Sequence, residues 1–161
     1  MAGDQYVAAA EGINLGAATA LVVLGIVSTG GARRMNLNEL GISFNGSSSS
    51  ATPVTVRLVR VTGSVTGGGT ATQSPTPLDA AAPSATYSSY QPTTATPGVY
   101  TGAPTVGAIL RTWYVSPTSG LVVQFPLGQE PDGPATTNAG LGIQCNAPAA
   151  VSANAYMSYT E

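Results

Sequence analysis

The sequence predicts an all-β fold, a single antiparallel β-sandwich. Three observations predict it. β-Branched residues and turn formers dominate, and helical periodicity is hard to find. The apolar runs are short and several alternate residue by residue, as strands with one wet and one buried face do. Turn clusters rich in Gly, Pro, Asn and Ser separate them. Eight runs of this kind match the strand count of a jelly roll, two four-stranded sheets packed face to face.

The first strand is short, around Gln5–Ala9, at the end of an N-terminal arm over residues 1–16. The second is Thr19–Ser28, closed by Thr29-Gly30-Gly31. Ala17–Val27 has a buried helix as its alternative, but Val22-Val23, Ile26-Val27 and the interior Gly25 are poor helix formers. The third strand is Arg34–Phe44, ended by Asn45-Gly46 and a Ser run. Its apolar parity changes: Met35 and Leu37 share one face, Leu40, Ile42 and Phe44 the other. One extra residue near Asn38-Glu39 reconciles them, which predicts a β-bulge. The fourth is Pro53–Thr62.

The fifth is Ala108–Val115, followed by a turn at Ser116–Gly120, and the sixth is Leu121–Phe125. The seventh is Leu141–Asn146, with Leu141, Ile143 and Cys145 alternating inward. The eighth is Ala150–Tyr159, where Val151, Ala153, Ala155, Met157 and Tyr159 share one face.

Between the fourth and fifth strands, residues 63–106 are rich in Pro, Ser, Thr and Ala. Neither flank offers a complete sheet pair, so the sequence predicts one domain, residues 1–161, with this segment as a long excursion. It carries Leu78, Tyr87, Tyr90, Val99 and Tyr100, and disordered linkers are poor in aromatics. The reading is an extended arm lying on a surface, its own or a neighbour's. Its six Pro residues lower the entropy cost of ordering it. Gly63–Thr72 is expected to be its most flexible part.

Charge narrows the function. Only 7% of residues are charged, against about 25% in an ordinary domain, so the polar surface is built from Ser, Thr, Asn, Gln and backbone. All five basic residues are Arg, and seven acids outnumber them. That is no basic stripe for nucleic acid and no polybasic membrane patch. A near-neutral surface does little to keep copies apart, which favours a protein packed against others. No acidic-free, basic N-terminal region marks a secretory signal, and Ala17–Val27 is too short to span a bilayer. The chain is expected to be made in the host cytoplasm and to be soluble.

The chain holds no His, so a Ser-His-Asp or Cys-His nucleophile and a histidine metal site are impossible. No enzymatic role, cofactor or metal is expected. Glu130 and Asp132 read as a solvated acidic turn, with a weak Ca²⁺ site and a catalytic pair as alternatives. Gly67-Gly68-Gly69 lacks the Lys-Ser/Thr ending of a phosphate loop. Asn45-Gly46-Ser47 fits a glycosylation triplet without an export signal to support it. Cys145, the lone cysteine, reads as a buried hydrophobe.

The candidate interface residues are Arg33, Arg34, Arg57, Arg60 and Arg111, with Tyr87, Tyr90 and Tyr100 of the arm. Arg within a strand is either solvent-facing or paired with a partner's carboxylate through its planar fork. Trp113 and Tyr114 offer one ring to the core and one outward. An exposed aromatic platform for a sugar or a protein is the alternative reading of that pair.

Several segments carry a resemblance: Asn14–Ala20, Gly41–Gly46, Pro53–Leu58, Leu110–Val115, Pro126–Glu130 and Ala147–Val151. On these the chain resembles the jelly-roll head decoration proteins (cement or minor capsid proteins) of tailed bacteriophages, especially those of high-GC actinobacterial hosts. Those sequences are likewise rich in Ala, Gly and Thr and almost free of Lys. The resemblance spans most of the chain apart from the central segment and includes no catalytic signature. It implies a virion protein on the capsid exterior that coats or cements the shell. It implies the major capsid protein and further copies of itself as partners, in a trimer or another symmetric cluster. The alternative is a carbohydrate- or receptor-binding module of a phage tail or a secreted protein.

Overall fold

The structure, a computed structural model, describes residues 3–30, 33–46, 52–63, 70–92 and 104–161. Among the described residues, twelve strands form two six-stranded sheets, every strand pair antiparallel. They are β1 (Gln5–Leu15), β2 (Ala20–Ser28), β3 (Met35–Phe44), β4 (Val54–Thr62), β5 (Thr70–Gln73) and β6 (Thr76–Pro77). Then come β7 (Tyr87–Pro92), β8 (Thr105–Val115), β9 (Gly120–Gln124), β10 (Asp132–Gly133), β11 (Ala139–Asn146) and β12 (Val151–Thr160).

Eight of these are the strands expected from the alternation. They pair in the orders β9-β3-β12-β1 and β8-β4-β11-β2. Together the two orders make a jelly roll. Inward residues of both sheets form one core, among them Leu15, Leu24, Leu40, Leu58, Ile143 and Met157. Cys145 is buried there, and burial pushes its thiol up.

The predicted bulge is present. Ser158 pairs with Glu39 and Tyr159 with Leu37, which leaves Asn38 as the extra residue of β3. That switch lets Leu37 and Leu40 both point inward. The first strand runs further than expected. A register shift between Ala10 and Ile13, with Gly12 at φ 64°, re-aims the chain so that pairing continues to Leu15. Residues 5–15 are therefore a strand inside the sheet, between β12 and β6, and not an arm.

The central segment is also no arm in its described part. Residues 70–92 supply β5, β6 and β7. β6 pairs with β1, β7 pairs with β2, and β5 pairs with β7. The segment thus crosses between the sheets along the β1/β2 side and pairs with both edge strands. Tyr87 and Tyr90, expected at an interface with a partner, are each 1% exposed within this fold. Their rings explain why the segment folds back: the chain's own sheets offer them apolar cover. Tyr90 lies over Gly25, where a Cβ would come within 1.9 Å of the ring. With Val22, Val27, Val59, Val61 and the partly buried Val106 it makes a second apolar layer on the outer face of the β2–β11–β4 sheet. Tyr100 lies outside the described residues.

Tyr87 points the other way, into the main core. Tyr6 and Tyr159 stack with ring centroids 5.6 Å apart, and Tyr87 meets Tyr159 edge-on at 5.9 Å. The Tyr87 hydroxyl accepts from the Met35 amide at 3.2 Å. It lies within 3.1–3.3 Å of the Pro134, Gly133 and Arg33 carbonyls, to one of which it donates. Tyr6 donates to the Pro83 carbonyl at 2.9 Å. The Glu161 carboxylate accepts from the Thr86 amide at 3.0 Å and its hydroxyl at 2.7 Å. Burial raises all three phenols above their ordinary pKa.

Tyr87→Phe keeps the ring and strands the buried Met35 amide. An unmade buried hydrogen bond costs about 1–3 kcal/mol, which in a chain of this size lowers the thermal midpoint by roughly 2–10 °C. Calorimetry of the wild type and the variant measures it, and an unchanged midpoint rejects the anchoring role.

Candidate interaction surface

The five arginines fare differently. Arg60 points between the sheets, opposite Leu141 on β11. Its guanidinium donates to the Asp132 carbonyl at 2.5 Å and to the Asp132 carboxylate at 2.7 Å. Arg34 reaches the same carboxylate at 3.7 Å. Hydrogen bonding from Arg60 outweighs desolvation, so Asp132 titrates below its ordinary range. Arg60 is thus an intramolecular tie between β4 and β10, which corrects its assignment to a partner's carboxylate. Arg33 forms an exposed pair with Asp4 at 3.4 Å. Arg111 lies over the Phe125 ring, 5.4 Å from its centroid, and covers apolar surface with its stem and its charge.

The acidic turn also changes character. Asp132 is in β10, paired with Asn36 and held by two arginines. Glu130 accepts from the Gly128 amide at 2.6 Å. These bonds point the two carboxylates to different partners, so they do not converge as a Ca²⁺ site or an acid pair needs.

Arg57 faces outward on β4, between Thr112 of β8 and Gln144 of β11. Its Nε is buried without a hydrogen-bond partner. Beside it, Tyr114 on β8 is 74% exposed. Trp113 turns inward and packs half-buried on the core, as alternation requires. The expected split of the pair, one ring in and one out, is what the structure shows, and only Tyr114 is left as an exposed ring.

Among the described residues, the β8/β9 side has no counterpart to the strands that border β1 and β2. β8 ends one sheet, and β9 lies on the outer edge of β3 in the other. Four of the large exposed apolar side chains among the described residues are on these strands or next to them: Ile109 and Tyr114 on the outer face of β8, Val122 (61% exposed) on the outer face of β9, and Leu127 (96%) just beyond; Leu78, after β6, is the fifth. Sequence reasoning passed over Ile109, Val122 and Leu127. The signal was available in Ile109-Leu110 and Val122-Val123, because two successive apolar residues on a strand cannot both face inward. A register shift at Leu110 turns Ile109 out.

A second feature lies on the outer face of the β9–β3–β12–β1 sheet. The Tyr156 hydroxyl makes a short hydrogen bond to the Glu39 carboxylate, and the Gln124 amide donates to its other oxygen at 2.8 Å. This ladder joins β12, β3 and β9. The Tyr156 bond is the largest influence lowering Glu39, and Glu39 pushes Tyr156 up to about 12. The Tyr156 ring lies across Gly41, where a Cβ would come within 2.1 Å of it.

Comparison with protein-family models, with curated proteins and with solved structures found no match.

Two predictions follow from these contacts. A double-mutant cycle with Arg60→Met and Asp132→Asn should return a coupling energy of about 0.5–1.5 kcal/mol, as suits a half-exposed, doubly bonded pair. Strictly additive urea midpoints reject the tie. Tyr156→Phe should cost about 0.5–1.5 kcal/mol at pH 7. Because Glu39 is held below its ordinary value near 4.5, the stability it adds is complete above that pH. It is lost as pH falls through the lowered value. The gap between wild type and Y156F should therefore shrink at pH 3, and a pH-independent gap counts against the bond.

Proposed function

We propose that this chain is a structural virion protein that binds the capsid surface of a tailed bacteriophage and stabilises the shell as a decoration or cement protein. The observation that carries the reading is the pair of exposed apolar side chains, Ile109 and Tyr114, on the outer face of the edge strand β8. Exposed apolar side chains on the edge strand of a sparsely charged domain suit burial against another protein. Arg57, facing outward beside Tyr114, suits a partner that brings a carboxylate or carbonyl to its guanidinium at an apolar patch. The partners in this reading are the major capsid protein and neighbouring copies of the chain, in a trimer or another symmetric cluster. The place of action is the virion exterior, and no chemistry is asked of the chain.

The reading relocates the interface. Tyr87, Tyr90 and Arg60 are used inside the fold, and the docking surface passes to Tyr114, Ile109 and Arg57 on the outer face of β4–β8. A specific interface buries ~800 Å² on each partner.

The test begins with copy number. Source particles sedimented through a gradient should carry hundreds of copies of this chain per DNA-filled head; a handful or none overturns the lattice-wide reading. On such particles, Arg57→Ala with Tyr114→Ala should lower retention tenfold or more while the thermal midpoint of the free protein stays within about 2 °C, since both side chains lie on the surface. Full retention by the double variant moves the interface elsewhere.

A further inference from the structure

We propose that the outer face of the β9–β3–β12–β1 sheet carries a binding site for a neutral saccharide, separate from the β4–β8 docking face. The site is a shallow groove of about 350 Å³. Cross-strand register puts Val122, Gly41, Tyr156 and Ala9 in one row, and Gly120, Ser43 and Asn154 in the next. Gly120, Ala9 and Ser43 are too small to fill the space above the strands, so they leave a floor, while Gly41 makes room for the Tyr156 ring. Tyr156 and Val122 stand beside it as apolar walls.

The Tyr156 wall is fixed in advance. Its ring rests on Gly41 and its hydroxyl is held by Glu39, so little side-chain freedom is lost when something packs on it. The polar groups around the groove have defined roles. Asn154 spends its carbonyl oxygen on the Gly12 amide at 2.8 Å, which leaves its NH₂ as a donor. Glu11 lines the groove with an exposed carboxylate, an acceptor. The Ser43 hydroxyl does either. A mostly apolar concavity with a few oriented polar groups is how small ligands are held.

The chemistry selects the ligand class. The lining has a carboxylate and no arginine, which opposes phosphate, sulfate and acidic sugars. An extended peptide recognised by strand addition needs an unpaired strand edge, which β9 offers at its outer side and not across the groove floor, where the four strands bond one another. A second copy docked about a two-fold axis brings another Glu11 to the same face, like charge against like. A neutral saccharide meets each condition. Its C–H face packs on Tyr156 and Val122, its hydroxyls donate to Glu11, and they accept from Asn154.

The experiment uses the full chain and a panel of neutral oligosaccharides of glucose, galactose, mannose and N-acetylglucosamine, with sialylated and sulfated counterparts. Array binding selects a neutral ligand, and NMR titration measures it. Kd is expected on the order of 0.1–1 mM for a groove this open. The amides of Ala9, Gly41 and Val122 should shift. Val122→Trp, at an exposed position, fills the groove and should weaken binding tenfold or more with the thermal midpoint unchanged. The proposal is overturned by no neutral sugar binding at about 10 mM. Preference for the acidic sugars, shifts centred on Tyr114, or undiminished binding by V122W overturn it equally.

Discussion

A strand at the border of an antiparallel sheet leaves a row of amides and carbonyls without partners, and a sandwich has two such borders. Here the two are treated unequally. Along β1 and β2, the short strands β5, β6 and β7 take up the hydrogen bonds of both sheets within one stretch of chain. Along β8 and β9 no further strand is added among the described residues. Much of the rest depends on this asymmetry. The covered side gains a tyrosine cluster, and Tyr90 from it caps a second apolar layer that reaches to β8; β8 itself keeps Ile109 and Tyr114 at the surface.

The covering works because side chains reach both ways from it. Tyr87 goes inward between the sheets, and Tyr90 goes outward over Gly25. Polar ties then fix the ends of the covering stretch. The Leu78 amide donates to the Gln5 carbonyl at 2.9 Å, and Thr86 binds Glu161. A segment of Pro, Ser, Thr and Ala becomes ordered through a few large rings and hydrogen bonds to the first and last strands.

The sequence made the eight main strands legible because their residues alternate, and alternation is a local signal. The change of parity from Leu37 to Leu40 placed the Asn38 bulge within a residue. β5, β6, β7 and β10 were not legible. They are short, and two of them contain Pro. They are strands only because β1, β2 and β3 have open edges beside them, which is a tertiary condition. The same limit hid the arginine roles. Nothing near Arg60 in the chain announces Asp132, 72 residues away, while Arg57, three residues from it, faces the other side of the sheet. Tyr156 was legible only as the outward neighbour of a buried Ala155; its place over Gly41 comes from cross-strand register.

The position of β12 has a consequence for synthesis. It is the inner strand between β1 and β3, pairing Gln5 with Thr160 and Phe44 with Ala153. Both neighbours leave the ribosome more than a hundred residues before it does. At about 5–20 residues per second, they wait roughly 5–20 s for the strand that joins them. During that time Ile13, Leu15, Leu40 and Ile42 have no sheet to close over, and pairings between distant segments form slowly even in the finished chain. The central place of β12 thus makes closure of its sheet depend on contacts of high sequence separation.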